Sequence, residues 1–178
     1  MLGAAERRLR PWGDAVSFVH ADLEAPLLAM GTFDVVFSTA ALHWVHDHAR
    51  LFRSLAWVLA PGGRLVTQWG GRGNIDSVVR IMEELGLPTN RWNFASEAET
   101  EAHLWAAGFD DVTLWSHPDP ATFSSRRELE TFLDSVVLFE ALDELPAKRR
   151  REVVSAVADR LGVLSLDYVR LNALARRR

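Results

Sequence analysis

The stretch Phe33-Asp34-Val35-Val36-Phe37-Ser38, running on into Thr39-Ala40-Ala41-Leu42-His43-Trp44, decides the fold. Its apolar content is nearly continuous rather than alternating, which suits a central parallel strand buried on both faces. Small residues then leave the strand's carboxyl end. A helix is expected from about His48 to Leu59, with Leu51, Leu55 and Val58 on one face at helical spacing. Asp47 is placed to cap that helix, with His46 and His48 exposed beside it.

Downstream, Ala60-Pro61-Gly62-Gly63 ends the helix and Arg64 to Trp69 reads as a second strand. Gly70, Gly71 and Gly73 open a loop before a helix from about Ile75 to Leu85, and Pro88 to Phe94 is irregular. Ser96 with Glu99 three residues on is a capping box for a helix that runs to Ala107 and stops at Gly108. Asp111 to Trp115 is a strand. Helices follow over about Arg126 to Leu142 and Pro146 to Leu161, with Pro146 at a first helical position. Leu166 to Ala175 is the closing strand. Upstream, residues 2–10 end an amphipathic helix closed by Pro11 and Gly13, and Val16 to Val19 is a short strand before the turn His20-Ala21-Asp22.

Strands alternating with helices imply an α/β fold with a mainly parallel sheet. Ligands in such folds lie outside the carboxyl ends of the strands. That rule points to Asp22, to Ser38 through Trp44, and to the loop after Trp69.

A length of 178 residues fits one domain, 1–178, and 48% hydrophobic with 25% charged residues is ordinary for a globular chain. A net charge of −4 offers no field for phosphate backbones, so no nucleic-acid partner is expected. Lys148-Arg149-Arg150-Arg151 reads as solvated surface and Arg176-Arg177-Arg178 as a tail. The absence of cysteine excludes disulfides, thiolate metal sites and a thiol nucleophile. No apolar run reaches membrane-span length and Met1 to Arg10 is not of signal-peptide type; a cytoplasmic protein with no membrane partner is the expectation.

Two clusters invite chemistry and receive plain readings. His43-Trp44-Val45-His46-Asp47-His48 lacks the spacing of histidine–aspartate metal clusters, so no metal is expected. Pro61-Gly62-Gly63 precedes a strand rather than joining strand to helix, and Gly70-Gly71-Arg72-Gly73 is too loosely spaced for a dinucleotide fingerprint.

Three blocks then resemble one family. FVHADLEAP (18–26) resembles the third strand and acidic turn of class I S-adenosylmethionine-dependent methyltransferases. FDVVFSTAALHWVHD (33–47) resembles their fourth strand and its loop, and LFRSLAWVLAPGGRLVTQW (51–69) the next helix, turn and fifth strand. LWAAGFDDVTLW (104–115) and LDYVRLNALARR (166–177) are similar to the trans-aconitate methyltransferase-like branch. The implied fold is a Rossmann-like, mainly parallel sheet with C-terminal helices and an antiparallel closing strand. Residues 88–162 would include substrate-side or lid helices.

The resemblance implies S-adenosylmethionine as cofactor. Asp22 would accept from the adenine amino group and Leu23 would offer its backbone N–H and an apolar wall; a plain turn aspartate is the alternative. Ser38, Thr39 and Ala40 would let backbone approach the ligand. Trp44 would wall the sulfonium, where cation–π attraction favours a positive methyl donor, or be a core tryptophan. His43 would line the same pocket or hydrogen-bond a backbone carbonyl. Arg72 and Arg170 would pair with acceptor carboxylates or form exposed salt bridges, and Trp92 would belong to the lid. No residue is assigned as catalytic acid or base, because the sulfonium is already activated and catalysis would be positioning and desolvation.

The family's first strand, Gly-x-Gly loop and ribose-gripping acid have no counterpart before Val16, and MLGAAERRL (1–9) resembles the helix after the second strand. The expectation is therefore a chain that starts inside a longer frame and lacks two strands. Phe33 to Ser38 would have an open edge, repaired either by direct pairing with Val16 to Val19 or by a homodimer. Small-molecule methyl transfer, possible at a carboxylate and impaired in this chain, is one expected function; a non-catalytic assembly module is the other.

Overall fold

A computed structural model describes residues 2–27 and 30–178. In chain order the elements are helix α1 (Leu2–Leu9), a 3-10 segment (Arg10–Ala15), strand β1 (Phe33–Thr39), a 3-10 turn (Leu42–Trp44), α2 (His48–Val58) and β2 (Leu59–Gly70). Then come α3 (Asp76–Glu84), α4 (Glu97–Ala106), β3 (Phe109–Pro118), β4 (Ala121–Thr122), α5 (Arg126–Phe132), α6 (Ala147–Leu161), β5 (Ser165–Leu166) and β6 (Val169–Arg177).

The main sheet has the order β1-β2-β6-β3. β1 runs parallel to β2, and β6 is antiparallel to both β2 and β3. Three strands thus point the same way, with the reversed closing strand inserted between two of them. Its arginines, Arg176 and Arg177, belong to the ladder rather than to a tail.

One face of the sheet is covered. Leu65 and Trp69 of β2 and Leu171, Ala173 and Ala175 of β6 pack with Leu51, Phe52 and Leu55 of α2 and with Leu104 of α4. His48 lies inside this layer at 2% exposure rather than beside Asp47 on the surface. Its ring meets Trp69 edge-on, which a first-turn helical position facing the sheet makes possible. Asp47 caps α2 by accepting from the Arg50 amide at 2.8 Å. A second apolar core joins α3, α5 and α6 through Val78, Met82, Leu129, Leu133, Val154 and Val157.

The other face of the sheet is open around β1, although Asn172 of β6 on that face is buried. Register places Phe37, Val66 and Leu174 in one row across three strands, and Phe37 is 72% exposed. The both-faces burial expected of Phe33 to Ser38 is therefore not found: β1 is an edge strand whose odd-numbered side chains look outward. Among the described residues β1 pairs with β2 alone. Val16 to Val19 forms no strand and does not pair with β1, since a single extended run without a ladder partner has nothing to fix its hydrogen bonds. Pro61 to Gly63 sits within the first half of β2, in a register shift opposite Phe33 and Val35.

Two helix boundaries also differ from expectation. Pro146 is the residue before α6 rather than its first helical position. The helix expected over Arg126 to Leu142 ends at Phe132, where a π turn over Leu133–Val137 closes with Leu138 N–H donating to the Leu133 carbonyl at 2.7 Å. The wider turn inserts an extra residue, and Phe139 beyond it reaches Trp44. Among the described residues no helix is long and apolar enough to cross a membrane.

Candidate functional site

The site forms at the carboxyl ends of β1 and β2. β1 is followed by Ala40, whose φ of 54° is unusual for a residue with a Cβ. Its N–H donates to the Gln68 carbonyl at 2.8 Å, which bends the chain across β2 and delivers the turn Leu42–Trp44 over the sheet end. Strain held at a strand end marks a place where the backbone is aimed rather than relaxed.

His43 and Trp44 stand in that turn. The amide of Gly70 donates to His43 Nδ1 at 3.3 Å; the ring thus accepts from an N–H instead of donating to a carbonyl. Burial first, and the charge of Arg170 second, lower the His43 pKa from 6.5 to about 4. Its neighbours are aromatic: Trp44 lies at 5.3 Å and Phe94 at 5.7 Å between ring centroids. Trp44 meets Trp92 and Phe139 at 6.0 Å each, and Trp92 stacks on Phe94 at 10°. Trp44 is therefore half-buried in an aromatic wall between sheet and helical region, together with Trp92.

The loop that carries Trp92 is strapped down by hydrogen bonds. Asn93 N–H donates to the His43 carbonyl and Asn93 Nδ2 to the His46 carbonyl, both at 2.8 Å, while His46 Nε2 lies 3.0 Å from the Asn90 carbonyl. On the other side, Glu24 accepts from the His46 amide at 2.7 Å. Asp22 accepts from the Glu24 amide at 2.9 Å, closing a local turn rather than a strand end.

Beside that turn lies a groove of about 410 Å³, lined by Ala21, Leu23, Phe37, Ser38 and Leu42 among others. Leu23 and Ser38 thus share one apolar groove, whereas Asp22, Thr39 and Ala40 are not among the residues that line it. The lining is apolar, and the groove runs along the open edge of β1, where Phe33 and Val35 also line it.

The two arginines part company. Arg170 faces Gly70 across the β2–β6 pair, its Nε donates to Asp119 at 3.0 Å, and its guanidinium lies 4.7 Å over the Tyr168 ring. Arg72 donates twice to Glu99, at 2.9 and 2.8 Å, and is 67% exposed. The structure gives Arg72 a helix-capping partner and gives Arg170 the position next to His43.

Phe94, Phe139, Gly70 and Glu24 also build the site. Gly70 ends β2 where the loop after Trp69 begins, and Glu24 lies in the block 18–26, so both fall in stretches the sequence pointed to. Phe94 and Phe139 carried no signal, because each reaches the site only by packing against residues far away in the chain. Among the described residues no group of three or more histidines and carboxylates is gathered for a metal ion.

Comparison with known proteins bears on the family and the fold. A family model described as a methyltransferase domain matches residues 1–67. The trans-aconitate 2-methyltransferase of Acidovorax sp. strain JS42 is 33% identical over 175 residues, covering 91% of this chain and 64% of that protein. The chain thus spans just under two thirds of that relative's length. The enzyme of the same name from Methylobacterium nodulans is 30% identical over 196 residues, covering 99% of this chain and 74% of that one. The crystal structure of the YcgJ protein from Bacillus subtilis superposes with a TM-score of 0.65 at 16% identity, over 100% of this chain and 78% of that one, a likeness of fold.

Proposed function

Because the chain belongs to the class I S-adenosylmethionine-dependent methyltransferases, in the trans-aconitate branch, we propose that its site serves methyl transfer to a carboxylate oxygen of a small organic acid. The observation that carries this reading is the convergence of Trp44, His43 and Arg170 at one end of the sheet. Leu23, Ser38 and the turn at Asp22 would hold the adenine end of S-adenosylmethionine, with Thr39 and Ala40 along its path. When bound, that cofactor supplies an electrophilic methyl group on a sulfonium. Trp44 and its aromatic neighbours exclude water and favour a cation beside them. Arg170 offers charge to an acceptor carboxylate. A carboxylate is already deprotonated, so positioning suffices and no strong base is required.

These residues supply the adenine side and the acceptor side of a site, so we expect weak cofactor binding and slow turnover from the 178 residues alone. Calorimetric titration with S-adenosylhomocysteine, with Trp44→Ala as control, tests the reading together with transfer of labelled methyl to small dicarboxylates and tricarboxylates. Binding that Trp44→Ala weakens is the expected result. Absence of both binding and transfer would overturn it.

A second reading has its own observation. β1 presents an open edge with Phe37 and its row exposed, beside the apolar groove. We propose that this edge joins a second copy of the chain, since exposed apolar strand edges pair with other chains. Homodimer formation by light scattering supports this; a monomer at high concentration excludes it.

A further inference from the structure

Resting on the carboxylate reading, we propose that His43 orients the acceptor, donating its Nε2–H to an oxygen of the acceptor carboxylate beside Arg170, and that this fixed donor restricts the site to acceptors that carry no proton to lose.

The tautomer follows from connectivity. An amide nitrogen donates and does not accept, so the contact from Gly70 N–H at 3.3 Å requires a lone pair on His43 Nδ1. In a neutral ring the proton then resides on Nε2, which has no partner among the described residues. The ring is also held in place: Trp44 and Phe94 flank it, and Gly70 leaves no slack. A Cβ on Gly70 would fall 2.8 Å from Asn74 Nδ2 and 2.9 Å from Phe94 Cε1.

Arg170 completes the pair. Its Nε is spent on Asp119 and its plane rests on Tyr168, which fixes the guanidinium while its terminal nitrogens have no side-chain partner among the described residues. Burial opposes protonation of His43, as does the charge of Arg170, so the imidazole stays neutral at ordinary pH. A neutral ring with Nε2 protonated can donate to an oxygen and cannot take a proton from one. A hydroxyl or amine acceptor must shed a proton on methylation. A carboxylate sheds none: one oxygen forms the bond to the methyl carbon, the carbon–sulfur bond breaks with its electron pair returning to sulfur, and a methyl ester and a neutral thioether result. The second carboxylate oxygen is the one His43 and Arg170 would hold.

The test uses the full chain labelled with 15N-histidine and saturated with S-adenosylhomocysteine, observed by long-range 1H–15N correlation from pH 5 to 8. The probe is trans-aconitate, the acid named for the relatives above. Expected are an Nε2–H tautomer for His43 that does not titrate in this range, and an Nε2 resonance that moves on saturation with trans-aconitate. His43→Ala is expected to weaken trans-aconitate binding about tenfold, the loss of one charge-assisted hydrogen bond. His43→Gln, which keeps both an acceptor for Gly70 and a donor, is expected to bind within about threefold of the parent. Circular dichroism should be unchanged in both variants.

An Nδ1–H tautomer, ordinary titration near 6.5, or trans-aconitate bound equally by parent and His43→Ala would each overturn the proposal. If that equal binding is accompanied by ester formation, the carboxylate reading survives and only the role of His43 falls. If the parent binds no carboxylate while still binding S-adenosylhomocysteine, the carboxylate reading fails and this inference with it.

Discussion

His48 Nε2 lies 3.0 Å from the carbonyl of Leu42, a bond that places the ring proton on Nε2 and leaves Nδ1 bare in the core. The same bond draws the loop after β1 down onto α2, so one buried histidine connects the sheet layer to the turn that carries His43 and Trp44.

The two buried histidines make the fold acid-sensitive. Burial is the largest influence on both, lowering the pKa of His48 below 6.5 and that of His43 to about 4. Around His48, the Leu42 carbonyl, Asp47 and Glu24 oppose the shift, whereas His103 on α4 adds to it. The unfolded chain protonates these rings near pH 6.5 while the folded chain does not, so lower pH favours unfolding. Stability is full above pH 6.5 and falls below it, by at most about 1.4 kcal/mol per pH unit for each ring. Urea midpoints measured at pH 7.5, 6 and 5 should decline accordingly, and His48→Leu should flatten the decline.

Gly71 is pressed against the closing strand. A Cβ there would lie 2.7 Å from the Leu171 Cβ, a contact between a backbone-fixed carbon and a buried one. Gly71→Ala is expected to lower stability by about 1–3 kcal/mol through displacement of β6. Thermal denaturation reads this directly, and an unchanged melting temperature would contradict it.

At α4 the expectation rests on a closed circuit. Ser96 accepts from the Glu99 amide at 3.2 Å, Glu99 accepts from the Ser96 amide at 2.8 Å, and Arg72 reaches the same carboxylate. The Ser96 amide and then Arg72 hold the Glu99 carboxyl down at about 2. Ser96→Ala should cost about 1 kcal/mol, while Arg72→Ala, an exposed pair, should cost under about 1 kcal/mol. Carboxylate binding should survive Arg72→Ala and be lost with Arg170→Ala, a contrast that separates the two arginines in a single titration.

Phe37→Thr probes the open sheet face. With its side chain 72% exposed, the change should alter unfolding of an isolated chain by no more than about 0.5 kcal/mol. In light scattering the same change should shift a dimer toward monomer; equal dimerisation by both proteins would place any interface elsewhere.

Local chemistry was legible wherever it acted over a few residues. The cap at Asp47, the capping box at Ser96 and Glu99, and the apolar face Leu51-Leu55-Val58 each depend on neighbours in the chain, and each is present as read. The matched blocks also carried Trp44 and Arg170, two residues of the proposed site. His43 was legible as a pocket residue but not as an acceptor from Gly70, because that bond joins residues 27 apart in sequence.

What the chain determined by itself, then, was the order of the main strands and helices from Phe33 onward and the family they belong to, since periodicity, caps and turns are written in short stretches. Only the tertiary structure decided which surfaces those elements cover. Phe33 to Ser38 reads as a buried strand because its residues are apolar, yet burial depends on neighbours that lie far away or do not pair with it. His48 reads as a surface residue beside a cap, yet the helix turns it inward against Trp69. The continuous apolar run that decides the fold is, for that reason, also the strand with its side chains most open to solvent.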